Sequence, residues 1–177
     1  MILGAVLAGG LSTRFGSDKA LAELGGRTLL ARAVDALSGV CETVVVVGRD
    51  VASVQTLPDW PSAGMGPLGG IAAALHHARD AGFSEVLTCA VDSVGMGDDL
   101  IGQLSPAPSY CADQPVIGLW PVTASNAVDA ILTGDGRHSM RAFAERIGAR
   151  AVRFESKPAN INTPADLSAA EERSHGL

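Results

Sequence analysis

Arg14 and Lys19 follow the glycine pair Gly9-Gly10 in a short polar stretch that also carries Ser12, Gly16 and Asp18. Paired glycines let a turn point backbone N–H groups at a ligand, and cations beside them neutralise negative charge. Residues of these types in this order can wrap a polyphosphate. The chemistry that suits such a wrap is phosphoryl or nucleotidyl transfer, where positioning and charge neutralisation lower the barrier. A carboxylate able to hold a divalent cation against phosphate oxygens would complete it. Asp92 is the candidate, since it ends the apolar run Val86–Val91 and is fixed by it; its alternative role is to cap a helix. Further polar groups fall in loops: Asp59, then Asn160 and Asn162.

These residues need a rigid frame. Residues 2–8 form an apolar run of strand length that stops at Gly9, and Thr43 to Val47 is a β-branched run suited to a strand covered on both faces. Glu85 to Val91 is a third strand, Val54 to Leu57 a weaker one, and Val116 to Trp120 and Ala151 to Phe154 close the strand set. Helices are predicted over Thr28 to Leu37, Pro67 to Ala81, Asp98 to Leu104, Ala127 to Leu132 and Ser139 to Ile147. Pro67 stands at a first turn, where its missing N–H costs nothing, and Thr163 is placed to cap a last helix from Pro164. Strand–helix alternation predicts an α/β protein: one doubly wound, mostly parallel sheet in a single domain over residues 1–177. Ligands bind such sheets at the carboxyl ends of the strands. Gly9, Gly10, Arg49, Asp59 and Asp92 all fall on that edge by this reading.

Composition narrows the classes further. Hydrophobic residues make up 47% and charged ones 18% of the 177, which is globular rather than disordered. A net charge of −6 argues against a general nucleic-acid surface, so an anionic ligand must meet a local cluster of cations. No apolar run reaches the roughly 20 residues of a membrane helix, and the first apolar run stops early without a basic leader, so neither membrane nor export is expected. Cys41, Cys89 and Cys111 are odd in number and lack metal-ligand spacing, which predicts reduced thiols in a cytoplasmic protein. His76, His77, His138 and His175 have no ligand spacing either.

Two phosphate motifs are excluded: Gly16 is followed by Ser17-Asp18-Lys19, not by the Lys-Ser/Thr of a P-loop, and Gly9-Gly10 does not open a dinucleotide fingerprint. The stretch Leu7-Ala8-Gly9-Gly10-Leu11-Ser12-Thr13-Arg14-Phe15-Gly16-Ser17-Asp18-Lys19 instead resembles the nucleotidyltransferase signature of the molybdenum cofactor guanylyltransferase (MobA-like) family. Gly66-Pro67-Leu68-Gly69-Gly70 resembles the family's Gly-Pro-Leu-x-Gly element, and Asp59 stands where the family has a nucleotide-contacting Asp. Cys89-Ala-Val-Asp92 resembles its metal-binding signature, with Ser93-Val94-Gly95 where a proline is expected. Asp113-Gln114-Pro115 resembles a segment that usually carries His before the proline, and residues 160–167 resemble Asn-x-Asn-Thr-Pro-x-Asp-Leu.

The resemblance implies a Rossmann-like fold of the nucleotide-diphospho-sugar transferase type. It implies transfer of GMP from GTP to molybdopterin carrying its molybdenum, with pyrophosphate released and Mg²⁺ on Asp92. Arg14, Lys19 and Asp92 would be catalytic. Nucleotide or pterin contacts would come from Leu7, Ala8, Gly9, Gly10, Lys19 and Asp59, from Gly66, Pro67 and Leu68, and from Asp92, Asn160 and Asn162. Molybdoenzyme apoproteins or their chaperones are the implied protein partners. The acceptor's terminal phosphate is already an oxyanion, so no separate strong base is required. The missing proline predicts a looser turn after Asp92. Three alternatives stay open: a cytidylyltransferase acting on the same cofactor, a nucleotidyltransferase of another small phosphometabolite, and a non-catalytic nucleotide- or pterin-binding protein.

Overall fold

The computed structural model describes residues 1–9, 18–50 and 52–175, the last three as backbone only. The chain begins with β1 (Ile2–Leu7), and after a short 3-10 turn at Lys19–Leu21 it forms the small hairpin β2 (Glu23–Leu24) and β3 (Arg27–Thr28). Then come α1 (Leu29–Ser38), β4 (Thr43–Val47), β5 (Thr56–Leu57) and α2 (Pro67–Ala81). The second half carries β6 (Glu85–Ala90), β7 (Ser93–Val94), α3 (Leu100–Leu104), β8 (Ser109–Cys111) and β9 (Gly118–Pro121). It closes with α4 (Ser125–Thr133), α5 (Met140–Ile147), β10 (Arg150–Val152), β11 (Ala159–Asn160) and α6 (Pro164–His175).

Seven strands make the main sheet in the order β10-β8-β9-β6-β1-β4-β5. β1 is parallel to both neighbours, with Leu7 opposite Val47 on one side and Ala90 on the other. Side chains alternate across a strand, and β1 shows the result. Leu3, Ala5 and Leu7 pack with Val45, Val47 and α2 on one face. Val6 packs with Val46, Cys89 and α1 on the other. Leu3, Val6, Leu37, Leu75 and Leu87 are fully buried. Removing a buried leucine of this kind by Leu→Ala costs about 2–5 kcal/mol, and apolar burial on both faces is what makes a parallel sheet possible.

The local signals explain most boundaries. Thr28 begins α1 as its cap, its Oγ1 accepting from the Ala31 N–H at 3.0 Å, so the helix proper starts one residue after the expected boundary. Ser139 does the same for α5 through the Ala142 N–H at 3.1 Å. At α6 the Asp166 N–H donates to Thr163 Oγ1 at 3.1 Å while Asp166 Oδ2 accepts from the Asn162 and Thr163 N–H groups, the reciprocal arrangement of a capping box.

The sheet departs from the sequence expectation in its second half. β9 is antiparallel to both β6 and β8, because β8 reaches it through a short loop that leaves no room for a crossover helix. β8 itself was not expected after the prolines of residues 106–108, and β10 spans Arg150–Val152 rather than Ala151 to Phe154. The weak strand before residue 58 is confined to Thr56–Leu57. Cys89 and Cys111 are buried and Cys41 is half-buried, its thiol pushed up to about 12 by burial.

Candidate active site at the carboxyl edge of the sheet

Past the ends of β1, β4 and β6 the ladder continues for one more bond on each side. The Ala8 N–H donates to the Val47 carbonyl at 2.9 Å and the Val91 N–H to the Leu7 carbonyl at 3.2 Å. Gly9 therefore leaves the sheet at a fixed point. It meets Gly48 backbone to backbone: Gly48 has φ +91°, and a Cβ there would lie 2.6 Å from the Gly9 Cα. Only glycine fits that crossing.

Asp59 comes to the same place from the loop before α2. The Trp60 N–H donates to the Gly69 carbonyl at 3.1 Å, which holds the loop against the helix. A Cβ on Gly9 would sit 3.3 Å from Asp59 Oδ2, and one on Gly70 would sit 3.6 Å from Asp59 Oδ1. Gly9, Asp59 and the start of α2 thus form one wall. Burial pushes the Asp59 carboxyl above the ordinary carboxylate range. Leu7, Ala8 and Leu68 have buried side chains that belong to the core, so backbone is what they offer a ligand. Gly66 caps α2 with φ +71° and no side-chain bond, and Pro67 follows at the first helical position.

The charge at this edge comes from the end of β6 and the turn at Lys19. Lys19 Nζ donates to Asp92 Oδ2 at 2.9 Å, with the two side chains 19% and 17% exposed. The turn that bears Lys19 is fixed from behind: Asp18 Oδ1 accepts from the Ala20 N–H at 3.2 Å, and Arg49 grips both Asp18 oxygens at 2.9 Å. The Arg49 guanidinium lowers the Asp18 carboxyl and is itself raised by it. Asp92 starts no helix. Its carbonyl accepts from the Ile161 N–H at 2.9 Å, and Ser93 pairs with Asn160 in the antiparallel ladder of β7 and β11. Asn160 is exposed and Asn162 half-buried beside the Asp92 turn.

No group of three or more His, Cys, Asp or Glu side chains able to hold a metal occurs among the described residues. A cation on Asp92 would therefore take at most two such side chains from the described residues, and its other ligands from phosphate and water. That donor set suits Mg²⁺, which keeps several waters and binds through one or two carboxylates plus substrate phosphates.

Residues 4–154 match the MobA-like NTP transferase domain. A molybdenum cofactor guanylyltransferase of Acidiphilium cryptum (strain JF-5) is 38% identical over 180 residues, covering 94% of this chain and 92% of its own. The chain belongs to the molybdenum cofactor guanylyltransferase family. A second member, from Rhodobacter capsulatus, is 36% identical over 97% of this chain and 96% of its own. The chain is thus a nucleotidyltransferase of molybdenum cofactor biosynthesis. Its fold is that of the molybdopterin-guanine dinucleotide biosynthesis protein A from Archaeoglobus fulgidus (TM-score 0.78, 21% identity, 99% of this chain and 100% of that one). The 2-C-methyl-D-erythritol 4-phosphate cytidylyltransferase of Thermus thermophilus shares it too (TM-score 0.66, 16% identity, 97% and 98% covered).

Of the site residues expected for this family, Gly9, Asp59, Lys19 and Asp92 converge on one edge, and Asn160 and Asn162 border it. Gly10 and Arg14 lie outside the described residues. Arg49 reaches that edge as well, but its guanidinium is spent on Asp18 and acts through the Lys19 turn. Three residues escaped the sequence reading of the site. Gly48 had a signal, since it follows a β-branched run at a strand end. Gln114 was visible only as a departure from the family pattern, and Ser93 carried no signal of its own. The turn after Asp92 is also tighter than expected, because Ser93 is buried and bonded.

Proposed function

We propose that this enzyme transfers GMP from GTP to the terminal phosphate of molybdopterin carrying its molybdenum, as one domain over residues 1–177 in the cytoplasm. An acceptor phosphate oxygen attacks the α-phosphorus of GTP. The bond from the α-phosphorus to the bridging oxygen breaks, and pyrophosphate leaves with the electron pair. The observation that carries the reading is the Lys19–Asp92 pair, 2.9 Å apart at the same carboxyl edge of the sheet as the Gly9–Asp59 wall. Mg²⁺, when bound through Asp92, supplies charge neutralisation and a template for the phosphates.

The chain's own groups do the rest. Lys19 donates to phosphate oxygens as charge builds on the departing pyrophosphate, joined by Arg14 and the Gly9 and Gly10 amides. Leu7 and Ala8 present backbone to the nucleoside, with Gly66, Pro67 and Leu68 forming the rim at the start of α2. Asp59 accepts from guanine. Guanine offers adjacent donors, N1–H and the 2-amino group, that a carboxylate receives together, whereas cytosine sets its amino donor beside an acceptor. Asn160 and Asn162 face the acceptor, next to a hollow of about 440 Å³ lined by Asp113, Gln114, Lys157 and Asn160 among others. The dinucleotide product would pass to molybdoenzyme apoproteins or their chaperones. No helix among the described residues is long and apolar enough to cross a membrane.

The test is a thermal-shift panel of GTP, CTP, ATP and UTP, each with and without Mg²⁺. Pyrophosphate release in the presence of molybdenum-loaded molybdopterin completes it. GTP with Mg²⁺ should give the largest shift and the fastest release. A larger response to CTP assigns the cytidylyl reaction instead, and nucleotide binding without release leaves a binding protein.

A further inference from the structure

Ser93 and Gln114 are polar side chains buried to 3% and 9% exposure, and they are bonded to each other. Ser93 Oγ donates to Gln114 Oε1 at 2.7 Å, and Gln114 Nε2 donates to the Pro158 carbonyl at 3.0 Å. The amide orientation follows from the partner: a carbonyl can only accept, so the NH₂ must face Pro158 and the oxygen must face Ser93. The segment bearing Gln114 is itself anchored on β6. Thr88 Oγ1 donates to the Val116 carbonyl at 2.6 Å and accepts from Trp120 Nε1 at 2.9 Å. The Ile117 N–H closes the loop onto the Gln114 carbonyl at 2.9 Å.

Both ends of this chain of bonds lie beside groups of the site. Ser93 directly follows Asp92, and Pro158 leads into Asn160 and Asn162. Those two segments meet in a ladder of two residues per strand, with one further bond from the Ile161 N–H to the Asp92 carbonyl. A two-stranded ladder this short is not stable alone in water. It needs support from outside, and the Gln114 side chain bonds both of its segments.

We propose that Gln114, with Ser93, is the positioning element that sets the Asp92 carboxylate against the Asn160–Asn162 segment for transfer. Gln114, which stands where the family usually has His, is bonded to the residue just before the missing proline: the Ser93 hydroxyl donates to its carboxamide oxygen. Both ends of the Gln114 carboxamide are bonded within the protein, to Ser93 and to the Pro158 carbonyl, so its effect runs through the backbone of residues 92–93 and 158–162. The catalytic part of the proposal rests on the function proposed above, whereas the coupling of the two segments does not.

Three variants test it, Ser93→Ala, Gln114→Leu and Gln114→His, each read by Tm, hydrogen exchange at the Ile161 amide, and kcat and KM. Gln114→Leu should speed Ile161 exchange by at least about tenfold. It should lower kcat by about 10- to 100-fold, the usual effect of losing an outer-shell partner. KM for GTP should stay within about threefold, since Gln114 and Ser93 bond to each other and to the Pro158 carbonyl rather than to the loops that carry Gly9 and Asp59. Ser93→Ala should move the same quantities in the same direction but less, and it serves alone if Gln114→Leu does not fold. Gln114→His should recover much of the loss, because a neutral imidazole has one N–H donor and one acceptor. Unchanged Ile161 exchange in the folded variants overturns the proposal, as does a kcat that falls only with the folded fraction. If wild type releases no pyrophosphate with any nucleotide, the functional reading fails, and Ile161 exchange still decides whether Gln114 couples the segments.

Discussion

Lys19→Ala separates the two consequences of the Lys19–Asp92 pair. At 2.9 Å the gross attraction is about 6 kcal/mol for an effective dielectric of about 20. Most of it is offset by desolvation of both groups. Exposed pairs contribute about 0.2–1 kcal/mol net, and removing one partner of a fully buried pair costs about 3–5 kcal/mol. Side chains 19% and 17% exposed fall between, so we expect a loss of about 1–2 kcal/mol. For a chain of this length that is a Tm fall of about 2–8 °C. Loss of one preorganised donor should lower turnover by about 10²–10³, or about 2.7–4 kcal/mol. Activity should therefore fall by more than stability does. The assay is pyrophosphate release at a temperature where both proteins are folded, with Tm measured alongside, for Lys19→Ala, Asp92→Asn and the double variant. The single losses of stability should overlap in the double variant, since each breaks the same contact. Its activity should be no better than that of either single variant. A Tm fall well beyond 8 °C with kcat/KM unchanged in the folded protein would refute the reasoning and leave Lys19 a structural residue.

Asp92→Asn should lower activity by on the order of 10² or more, with part of the loss recovered by added Mg²⁺; superimposable Mg²⁺ titrations for wild type and variant would remove the metal role. Asp59→Asn should erase about 1–3 kcal/mol of preference for GTP over the other nucleotides, the worth of a bidentate base contact, as read by competition binding. Because burial raises the Asp59 carboxyl, and the carboxylate is the form that accepts from guanine, GTP affinity should weaken on acidification while pH is still above the ordinary carboxylate range. Asp18 has the opposite sign. Its folded value is lowered, so its contribution is present above the unfolded value of about 3.9 and is lost as pH falls through the lowered folded one. Denaturant midpoints of wild type and Arg49→Met should therefore differ near neutrality and converge in strong acid.

The long elements were legible because their periodicity runs over several turns. α2 matches its expected bounds, and β4 does too, since a proline at a first turn and a β-branched run are strong local signals. β7, β8 and β11 are two or three residues long, too short for any period to register. The direction of β9 is not encoded in its own residues but in the length of the connection before it. The site divides in the same way. Lys19 and Asp92 stand at a turn and a strand end and were readable as types in places. The contact of Gly9 with Gly48, and the placing of Asp59 beside both Gly9 and Gly70, depend on how three loops leave neighbouring strands, which no single stretch records. Ser93 and Gln114 are 21 residues apart, so neither stretch alone records the bond that joins them.

The reversed strand β9 has a further consequence. In a wholly parallel arrangement, the chain leaving β8 at the carboxyl rim would cross to the far rim before starting another strand. Because β9 runs the other way, both ends of residues 112–117 stay on the rim that holds Gly9, Asp59 and Asp92. Apart from Gln114, this stretch can change length or residues without moving β1, β4 and β6, whose ends bring Gly9, Gly48 and Asp92 to the rim. Under the function proposed above, recognition of the recipient can diverge here while Gly9 and Asp59 stay put, which gives one scaffold a ready route to new acceptors.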